Sequence, residues 1–445
     1  MSPSRAVRTL LLAALPAALL AGGAAHAAGK PLDVARAKAA IEASLDKAYP
    51  HLDAVYKDIH AHPELAMQEV RTAALLAREM RALGFEVTEH VGGTGIVAIL
   101  KNGPGPLVLV RTELDALPME EKTGLSYASH VVADYHGKPT PVDHSCGHDI
   151  HMAAWLGAAQ QLAAMRGQWH GTLMFIGQPA EEAANGAAAM LADHLFERFG
   201  KPDIGFAQHV GPEPTATLTY KAGVYNTAAD SLEILFKGRG GHGSTPEVTI
   251  DPIVEAARFV EAVQTVISRE KDPGAFGVIT VGSIQAGSAG NIIPDQAFLR
   301  GTIRTRDEAV RQKILEGVRR TANAVAAMAG APPPEVRTEV GGRLLVNDAA
   351  VTERTARVFK AAFGDRAKPM PAPISPSEDY SEFIIAGVPS LFWSIGGLDP
   401  AVIAEARAKG VPVPANHTPQ FAPTPEPTIR FGVEAMTLAV LNVLG

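Results

Sequence analysis

A short segment in the first half of the chain concentrates side chains that bind metals. It reads Asp143-His144-Ser145-Cys146-Gly147-His148-Asp149-Ile150-His151 and contains the only cysteine of the 445-residue chain. A single thiol cannot form an intrachain disulfide, whereas a thiolate and an imidazole together suit a borderline-soft cation such as zinc. We therefore expect metal chemistry at this segment, provided that other parts of the chain supply further ligands.

Further polar side chains stand at the ends of predicted strands. Glu181 and Glu182 follow one apolar strand, His209 ends another, and His417 lies in a Pro-rich loop before the last helix. In an open α/β sheet, binding groups collect at the carboxyl ends of the strands, so these residues are expected to meet. The donors suited to zinc, manganese, cobalt or nickel are Cys146, His148, Glu182, His209 and His417.

The adjacent Glu181 and Glu182 can have different roles in such a site. Neighbouring side chains in extended backbone point apart, so Glu182 can bind a metal while Glu181 faces the water that the metal activates. The alternative is a solvated acidic pair at the start of the next helix, where negative charge favours the helix dipole. A lone His209 could equally be a structural histidine. The coincidence of several donors favours the metal interpretation.

The elements that must position these residues alternate between helix and strand. Apolar residues recur at helical spacing from about Leu32 to Leu83, and short apolar strands follow, separated by helical stretches. The predicted strands are Phe85 to Val91, Gly95 to Leu100, Pro106 to Val110, Thr172 to Gly177, Ile204 to His209 and Ser390 to Ile395. This alternation predicts a mainly parallel sheet that is covered by helices on both faces.

One region has a different pattern and reads as an insertion. Between about Ala228 and Val340 the predicted order is βαββαβ, which is typical of a small ferredoxin-like α+β sandwich. The α/β pattern then resumes. We therefore predict a signal peptide at residues 1–27, a first catalytic part at 28–227, the inserted unit at 228–340 and a second catalytic part at 341–445.

The first thirty residues are typical of a secretory signal peptide. Arg5 and Arg8 precede an apolar run, and small residues lead to an Ala-x-Ala site that predicts cleavage after Ala27. An uncleaved membrane anchor is the alternative, and no later segment is expected to span a membrane. The mature protein is therefore expected to be periplasmic or secreted, and its single cysteine means that the fold relies on no internal disulfide.

The charge balance argues against nucleic acid as a partner. Forty Lys and Arg residues stand against forty-seven Asp and Glu residues, and no basic run could follow a phosphate backbone.

The motifs of the mature chain together resemble the M20 metallopeptidase family. The resemblance is to its aminoacylase-like amidohydrolase branch, which includes hippurate hydrolases and plant auxin-conjugate hydrolases. The motifs occur in the family's order: His60-Ala-His-Pro-Glu-Leu, Leu114-Asp-Ala-Leu-Pro, Ser145-Cys-Gly-His-Asp-Ile-His, Gln178-Pro-Ala-Glu-Glu, Gly241-His-Gly-Ser-Thr-Pro, Asn291-Ile-Ile-Pro, Gly301-Thr-Ile-Arg and Ser377-Glu-Asp-Tyr.

The resemblance implies an aminopeptidase/phosphorylase-like catalytic domain with a ferredoxin-like lid, and a site for two divalent ions. Cys146 would lie between the ions, with His148, Glu182, His209 and His417 completing their coordination. Glu181 would be the general base and later the acid. Asp115 would orient a ligating imidazole; Asp149 could do similar work, although capping the next helix explains it equally well.

The inserted unit matches the family's lid, which commonly pairs two subunits. His242 resembles a histidine that stabilises the oxyanion, in some members from the neighbouring subunit, and Asn291 and Arg304 would hold the substrate's carboxylate or carbonyl. The resemblance thus implies a homodimer, although Arg304 could instead be an ordinary surface residue. The sequence leaves open whether His242 acts within its own subunit or across the dimer.

The sequence therefore predicts an exported, metal-dependent hydrolase that cleaves N-acyl amino acids, of the hippurate or N-acetyl type. A dipeptidase or carboxypeptidase would share every catalytic residue and is the first alternative. Two others remain open: a binding protein that keeps the fold without catalysis, and a one-metal site with Cys146 as a buried structural thiol.

Overall fold

The computed structural model describes residues 31–445, and the predicted signal peptide lies outside these residues. In this part of the chain the helices are α1 (Val34–Ala61), α2 (Val70–Ala82), α3 (His148–Ala164), α4 (Gly186–Ala192), α5 (Leu195–Phe199), α6 (Pro252–Thr265), α7 (Glu308–Ala329), α8 (Ala349–Phe363), α9 (Ser381–Ile385), α10 (Pro400–Lys409) and α11 (Pro425–Leu444). The strands are β1 (Glu86–Val91), β2 (Gly95–Asn102), β3 (Leu107–Glu113), β4 (Val132–Tyr135), β5 (Lys138–Pro141), β6 (Gly171–Gln178), β7 (Ile204–Pro214), β8 (Leu218–Tyr220), β9 (Gly223–Val224), β10 (Ala228–Lys237), β11 (Gly241–His242), β12 (Gly277–Ala286), β13 (Ile292–Ile293), β14 (Gln296–Thr305), β15 (Glu335–Gly342), β16 (Val346–Asn347), β17 (Ala367–Pro369) and β18 (Ser390–Leu398).

An eight-stranded sheet forms the centre of the larger part of the fold. Its strand order is β1-β2-β6-β3-β7-β18-β8-β17. The central strands β6, β3, β7 and β18 run parallel to one another. Toward one edge β2 pairs antiparallel with β6 and with β1; toward the other β8 pairs antiparallel with β18 and parallel with β17. The predicted mixed α/β fold with a mostly parallel sheet is confirmed.

Helices cover both faces of this sheet, because its central strands are apolar on both sides. In β3, Val108 and Val110 pack into the cluster formed with α1, α3, α8 and α11, whereas Leu109 packs on the opposite face with residues of α4, α5 and α9. Successive side chains of a strand point to opposite faces, so a continuous apolar run needs cover on each.

The segment between β10 and β15 forms a second, smaller sheet. Its four strands are antiparallel in the order β12-β14-β10-β15, which is the ferredoxin-like arrangement that the βαββαβ pattern predicts. One face packs against α6 and α7, with Phe236, Phe259 and Val318 in its core. The exact domain boundaries, and the function of this inserted unit as a lid, stay predictions.

The C-terminal helix corrects the expectation that no later segment is apolar enough to span a membrane. By length and composition α11 could cross a membrane, with a mean hydropathy of 1.2 over its most apolar window, although no such later segment was expected. Within the fold 78% of that window is buried. The helix is apolar nearly all round because it lies between α1, α3 and α8.

Candidate metal centre

The loop before α3 presents Cys146 and His148 from a tight turn. Gly147 between them has φ 86° and is the N-cap residue of α3, so His148 is the first residue of the helix. A Cβ atom on Gly147 would lie 2.4 Å from Cγ1 of Val210. Only glycine combines this backbone conformation with such close packing against β7, and the turn therefore brings two donors beside the central strands.

The loop that carries His417 is hydrogen-bonded directly to this turn. The side-chain amide of Asn416 donates to the carbonyls of Cys146 (2.9 Å) and Val210 (3.0 Å), and the backbone N–H of His417 donates to the carbonyl of Ser145 (2.9 Å). Residues that are 271 positions apart in the sequence are thereby held together.

The five predicted ligands lie around one point. The Sγ atom of Cys146 is 3.4 Å from Nε2 of His209 and 3.3 Å from Nε2 of His417. One carboxylate oxygen of Glu182 is 3.4 Å from Nε2 of His417 and 3.9 Å from Nε2 of His148. These donor atoms form two overlapping groups that could each hold an ion: Cys146, Glu182 and His417 on one side, and His148, Glu181 and Glu182 on the other.

Hydrogen bonds at the Nδ1 atoms leave the Nε2 atoms of two histidines free to bind a cation. His148 Nδ1 donates to the backbone carbonyl of Asp115 (2.8 Å), and His209 Nδ1 donates to the carbonyl of Val210 (2.8 Å). An imidazole that donates at one nitrogen exposes a lone pair at the other, which is the form that binds metals.

His151 is different, although it lies in the same cluster as Glu113, His148 and His209. Its Nε2 atom accepts a hydrogen bond from the backbone N–H of Val210 (2.7 Å), so Nδ1 carries the proton that it shares with Glu113 (2.9 Å). With both nitrogens engaged, His151 supports β7 beside His209.

Several buried polar atoms at this point have no hydrogen-bond partner within residues 31–445. They are Oδ1 of Asp115, Nε2 of His148 and Oε1 of Glu182. Unpaired buried polar atoms are costly and rare, and here they belong to residues that surround the Cys146 thiol. Their number and chemical type fit divalent cations, because cations are the partners that a thiolate, an imidazole lone pair and a carboxylate share.

Glu181 and Glu182 occupy a turn, so the expectation of extended backbone was wrong. Ala180 has φ 49°, and the chain turns through Glu181 before α4 begins at Gly186. The turn brings both carboxylates to His148, with Oε2 of Glu181 3.8 Å from its Nε2 atom. The pair is not a solvated start of a helix, since Glu181 is 9% exposed.

The electrostatics of the site favour added positive charge. Burial and the carboxylates of Glu378, Glu182 and Asp379 raise the pKa of Glu181 well above its usual range, and burial raises that of the Cys146 thiol. Burial also lowers the pKa of His209 to about 3, which keeps this imidazole neutral. A bound cation would stabilise both the carboxylates and the thiolate.

The sequence did not predict that a network of buried polar side chains lies behind Glu181. Arg111 is buried and donates to Gln178 (2.9 Å), Glu378 (2.8 Å) and Glu113. Asp379 accepts hydrogen bonds from the Gln178 amide (2.6 Å) and from the backbone N–H of Ala187 (3.0 Å). The available signals were the polar residues at the end of the buried strand β3 and the acidic pair in the Ser377-Glu-Asp-Tyr motif.

The two predicted supporting aspartates have distinct contacts. Asp115 positions His148 mainly through its backbone carbonyl, while its carboxylate accepts a hydrogen bond from the N–H of Glu182 (2.9 Å). Asp149 pairs with Nδ1 of His60 (2.6 Å). Gly147, not Asp149, is the N-cap residue of α3, but Oδ1 of Asp149 accepts the N–H of Ile150 (2.9 Å) in the first turn of the helix.

A cavity of about 600 Å³ opens onto the cluster. Cys146, Glu181, Glu182, His209 and His417 form its floor, and Arg304 of β14 reaches it from the inserted unit. The guanidinium of Arg304 donates to Oγ of Ser377 (3.3 Å). Tyr225, Ile374 and Phe392 give the wall an apolar part. The cavity can therefore hold a molecule with a carboxylate and an apolar group.

His242 and Asn291 lie elsewhere on the inserted unit. Among the described residues that line the cavity neither occurs, and both are exposed. They are neighbours where the short strands β11 and β13 pair, and the N–H of Gly243 donates to the carbonyl of Asn291 (2.8 Å). Within one chain Arg304 lines the same cavity as the predicted metal ligands, whereas His242 and Asn291 do not.

Comparison with known proteins agrees with this geometry. Residues 109–410 match the model of peptidase family M20/M25/M40. A hippurate hydrolase of Campylobacter jejuni is 36% identical over 328 residues, which cover 73% of this chain and 82% of the relative. Thermostable carboxypeptidase 2 of Saccharolobus solfataricus is 31% identical over 87% of this chain and 94% of its own length.

A solved structure resembles the whole fold. The Bacillus subtilis protein described as a dinuclear metal binding peptidase from the M20 family superposes with a TM-score of 0.71 at 28% identity. The match covers 89% of this chain and 99% of that chain.

Proposed function

This chain belongs to peptidase family M20/M25/M40, and from that premise we propose that it is an exported, metal-dependent amidohydrolase of N-acyl amino acids. The observation that carries the proposal is the convergence of Cys146, Glu182, His209 and His417 at the cavity, with His148 buried beside Glu182. Donor atoms of His148 and Glu182 are buried and have no hydrogen-bond partner among residues 31–445.

We propose that Cys146, His148, Glu182, His209 and His417 hold two divalent ions, with the Cys146 thiolate between them. Zinc, manganese, cobalt and nickel all accept this donor set, and availability selects among them. When bound, the ions supply positive charge that polarises a carbonyl and lowers the pKa of water.

Glu181 is the proposed general base and acid. Its carboxylate lies at the cavity floor beside His148 and Glu182, within reach of a water molecule that approaches a bound amide. It takes the proton of that water as the carbonyl is attacked, and it then returns the proton to the leaving amine. The Arg111 network behind it fixes its surroundings.

The substrate side of the cavity supports an acylated amino acid. Arg304 can bind a carboxylate, and Tyr225, Ile374 and Phe392 can contact an apolar acyl group. A carboxypeptidase or dipeptidase is the second candidate, and the 31% identical carboxypeptidase relative favours it. Both reactions place an amide carbonyl over the same residues.

His242 is proposed to act from the partner subunit of a homodimer. It is exposed and lies outside the cavity of its own chain, as does Asn291. Strand β12 is an edge of the smaller sheet and exposes Val278 (40%) and Ile284 (50%), which suits pairing with a second copy. Across such a dimer His242 would donate to the oxyanion and Asn291 would contact the substrate.

Export is proposed from the N-terminal sequence alone. Removal of residues 1–27 would release a periplasmic or secreted protein, and the mass of the mature chain tests this. A periplasmic protein that begins at Ala28 supports the proposal, and a full-length membrane-bound chain would contradict it.

The catalytic proposal is tested by amide cleavage over a panel of N-acetyl, N-benzoyl and longer N-acyl amino acids together with dipeptides. The enzyme is stripped of metal and then reconstituted with each candidate ion. We expect cleavage of acylated amino acids only after reconstitution. Exclusive cleavage of dipeptides would favour the second candidate, and no cleavage with any ion would contradict the hydrolase proposal.

A further inference from the structure

The motif His60-Ala-His-Pro-Glu-Leu and the residues after it carry no role in the chemistry described above. The segment nevertheless leads to Glu69, which is fully buried at the start of α2. Its carboxylate reaches across the fold to the loop that carries the proposed base. Oε1 accepts a hydrogen bond from the backbone N–H of Ala180 (2.8 Å), and Oε2 accepts one from the hydroxyl of Thr94.

Ala180 has an unusual backbone conformation immediately before Glu181. Its φ of 49° lies in the left-handed region, which residues with a Cβ atom rarely adopt. Surrounding contacts must therefore hold the residue there. Its carbonyl accepts hydrogen bonds from Asn185 (3.4 Å) and Gly186 (3.2 Å), and its N–H is held by Glu69.

Carboxylates also hold the other end of the turn and the start of α2. Asp115 accepts the N–H of Glu182 (2.9 Å), so two buried carboxylates bracket Glu181. Glu64, in the motif itself, accepts the N–H groups of Arg71 (3.0 Å) and Thr72 (2.8 Å) in the first turn of α2. The motif thus fixes the helix start from which Glu69 extends.

We propose that Glu69 is a positioning residue, which holds Ala180 in the left-handed conformation and thereby aims the Glu181 carboxylate at the cavity floor. This inference rests on the proposed function, in which Glu181 is the general base. A misplaced base slows proton transfer steeply with distance, while substrate and metal ligands remain in place. Loss of the Glu69 acceptor should therefore lower kcat and leave KM and metal content unchanged.

Three substitutions at Glu69 separate these effects. Glu69→Leu removes the acceptor and should lower kcat by about 100-fold at unchanged KM and metal content. Glu69→Gln keeps an oxygen acceptor and should remain within about tenfold of wild type. Glu69→Asp keeps the buried charge but shortens the reach by one methylene, and it provides the test if the leucine variant does not fold.

The control is Glu255→Leu, which replaces a buried carboxylate of the inserted unit and should leave kcat unchanged.

The double variant Glu69→Leu/Ala180→Gly gives the readout that a merely structural role would not produce. Glycine adopts the left-handed conformation without steric cost, so it should restore kcat about tenfold over Glu69→Leu. A crystal structure of Glu69→Leu should show φ of Ala180 shifted to negative values. Unchanged kcat in the folded Leu or Asp variant, or a fall in metal content that accounts for the loss, would overturn the inference. Wild-type turnover is measured first, because an inactive wild type would contradict the proposed function instead.

Discussion

The cluster around Cys146 and the paired strands β11 and β13, which carry His242, differ in how completely one chain assembles them. The cluster joins residues up to 271 positions apart, and backbone carbonyls orient the imidazoles of His148 and His209. His242 and Asn291 are exposed, and Nδ1 of His242 contacts only its neighbour Ser244 (2.7 Å) among the described residues. The difference underlies our proposal that each subunit supplies its own metal ligands and base, whereas the oxyanion donor comes from a second subunit.

The largest expected effect is at the intrinsic part of the site. Glu181→Gln should lower kcat about 10³-fold or more, because the amide cannot accept the proton of the attacking water. Metal content should stay at the wild-type value, since Glu181 is not a proposed ligand. Steady-state kinetics and elemental analysis measure both, with the exposed Glu197→Gln as control. An active Glu181→Gln variant would favour a protein that binds without catalysis.

The proposed contribution of His242 across a homodimer is tested by complementation. His242→Ala should lower kcat about 10²-fold, the usual cost of one lost oxyanion donor, at nearly unchanged KM. Mixing this variant with Glu181→Gln should restore activity to about a quarter of wild type, because half of the randomly formed dimers contain one intact site of two. If the mixture remains as inactive as its components, His242 acts within its own subunit.

Substitution of Arg304, a residue of the inserted unit that lines the cavity within one chain, tests whether the guanidinium binds a substrate carboxylate. Arg304→Gln should raise KM about 10- to 100-fold for substrates with a free carboxylate, and less for the corresponding amides. The control is Arg300→Gln on the same strand, which is exposed and pairs with Glu233. Equal KM increases for acids and amides would contradict carboxylate recognition.

The smallest expected effect is on stability, at Glu255, a buried carboxylate that lies away from the proposed metal site. Glu255 of α6 is buried, and neither oxygen has a partner among residues 31–445, but no cluster of donors surrounds it. Burial and Asp251 raise its pKa to about 7. Its folded pKa exceeds the ordinary value, so the wild type loses stability as the pH rises from about 4.5 to 7.

Glu255→Leu should therefore raise the free energy of unfolding by about 1–2 kcal/mol at pH 8 and by less at pH 5. Denaturant titrations at the two pH values measure the difference, with the exposed Glu261→Leu on the same helix as control. A gain that does not depend on pH would show that the carboxylate is not the cause.

The periodicity of the chain predicted the architecture well where the strands are long and apolar. The central strands and the order of the inserted unit follow directly from it. The short strands β8, β9, β16 and β17 were not predicted, because two or three residues carry no periodic signal and their pairing partners are distant in the sequence.

The sequence was sufficient to predict that the proposed ligands lie together, but not how other residues support them. Cys146, Glu182 and His417 could be chosen by donor type and position at strand ends. The tautomer of His151, the left-handed turn at Ala180 and the reach of Glu69 depend on contacts across the fold. Local sequence does not encode such contacts, so only the structure could separate ligands from the residues that support them.

The metal content of purified wild type and of Cys146→Ala tests the central claim most directly. Elemental analysis after dialysis should give about two divalent ions per wild-type chain, as expected of a two-metal hydrolase. The alanine variant should stay folded and lose at least one of the ions, because Cys146 is proposed to lie between them. One ion per chain in both proteins would contradict the paired-metal account and leave Cys146 as a buried structural thiol.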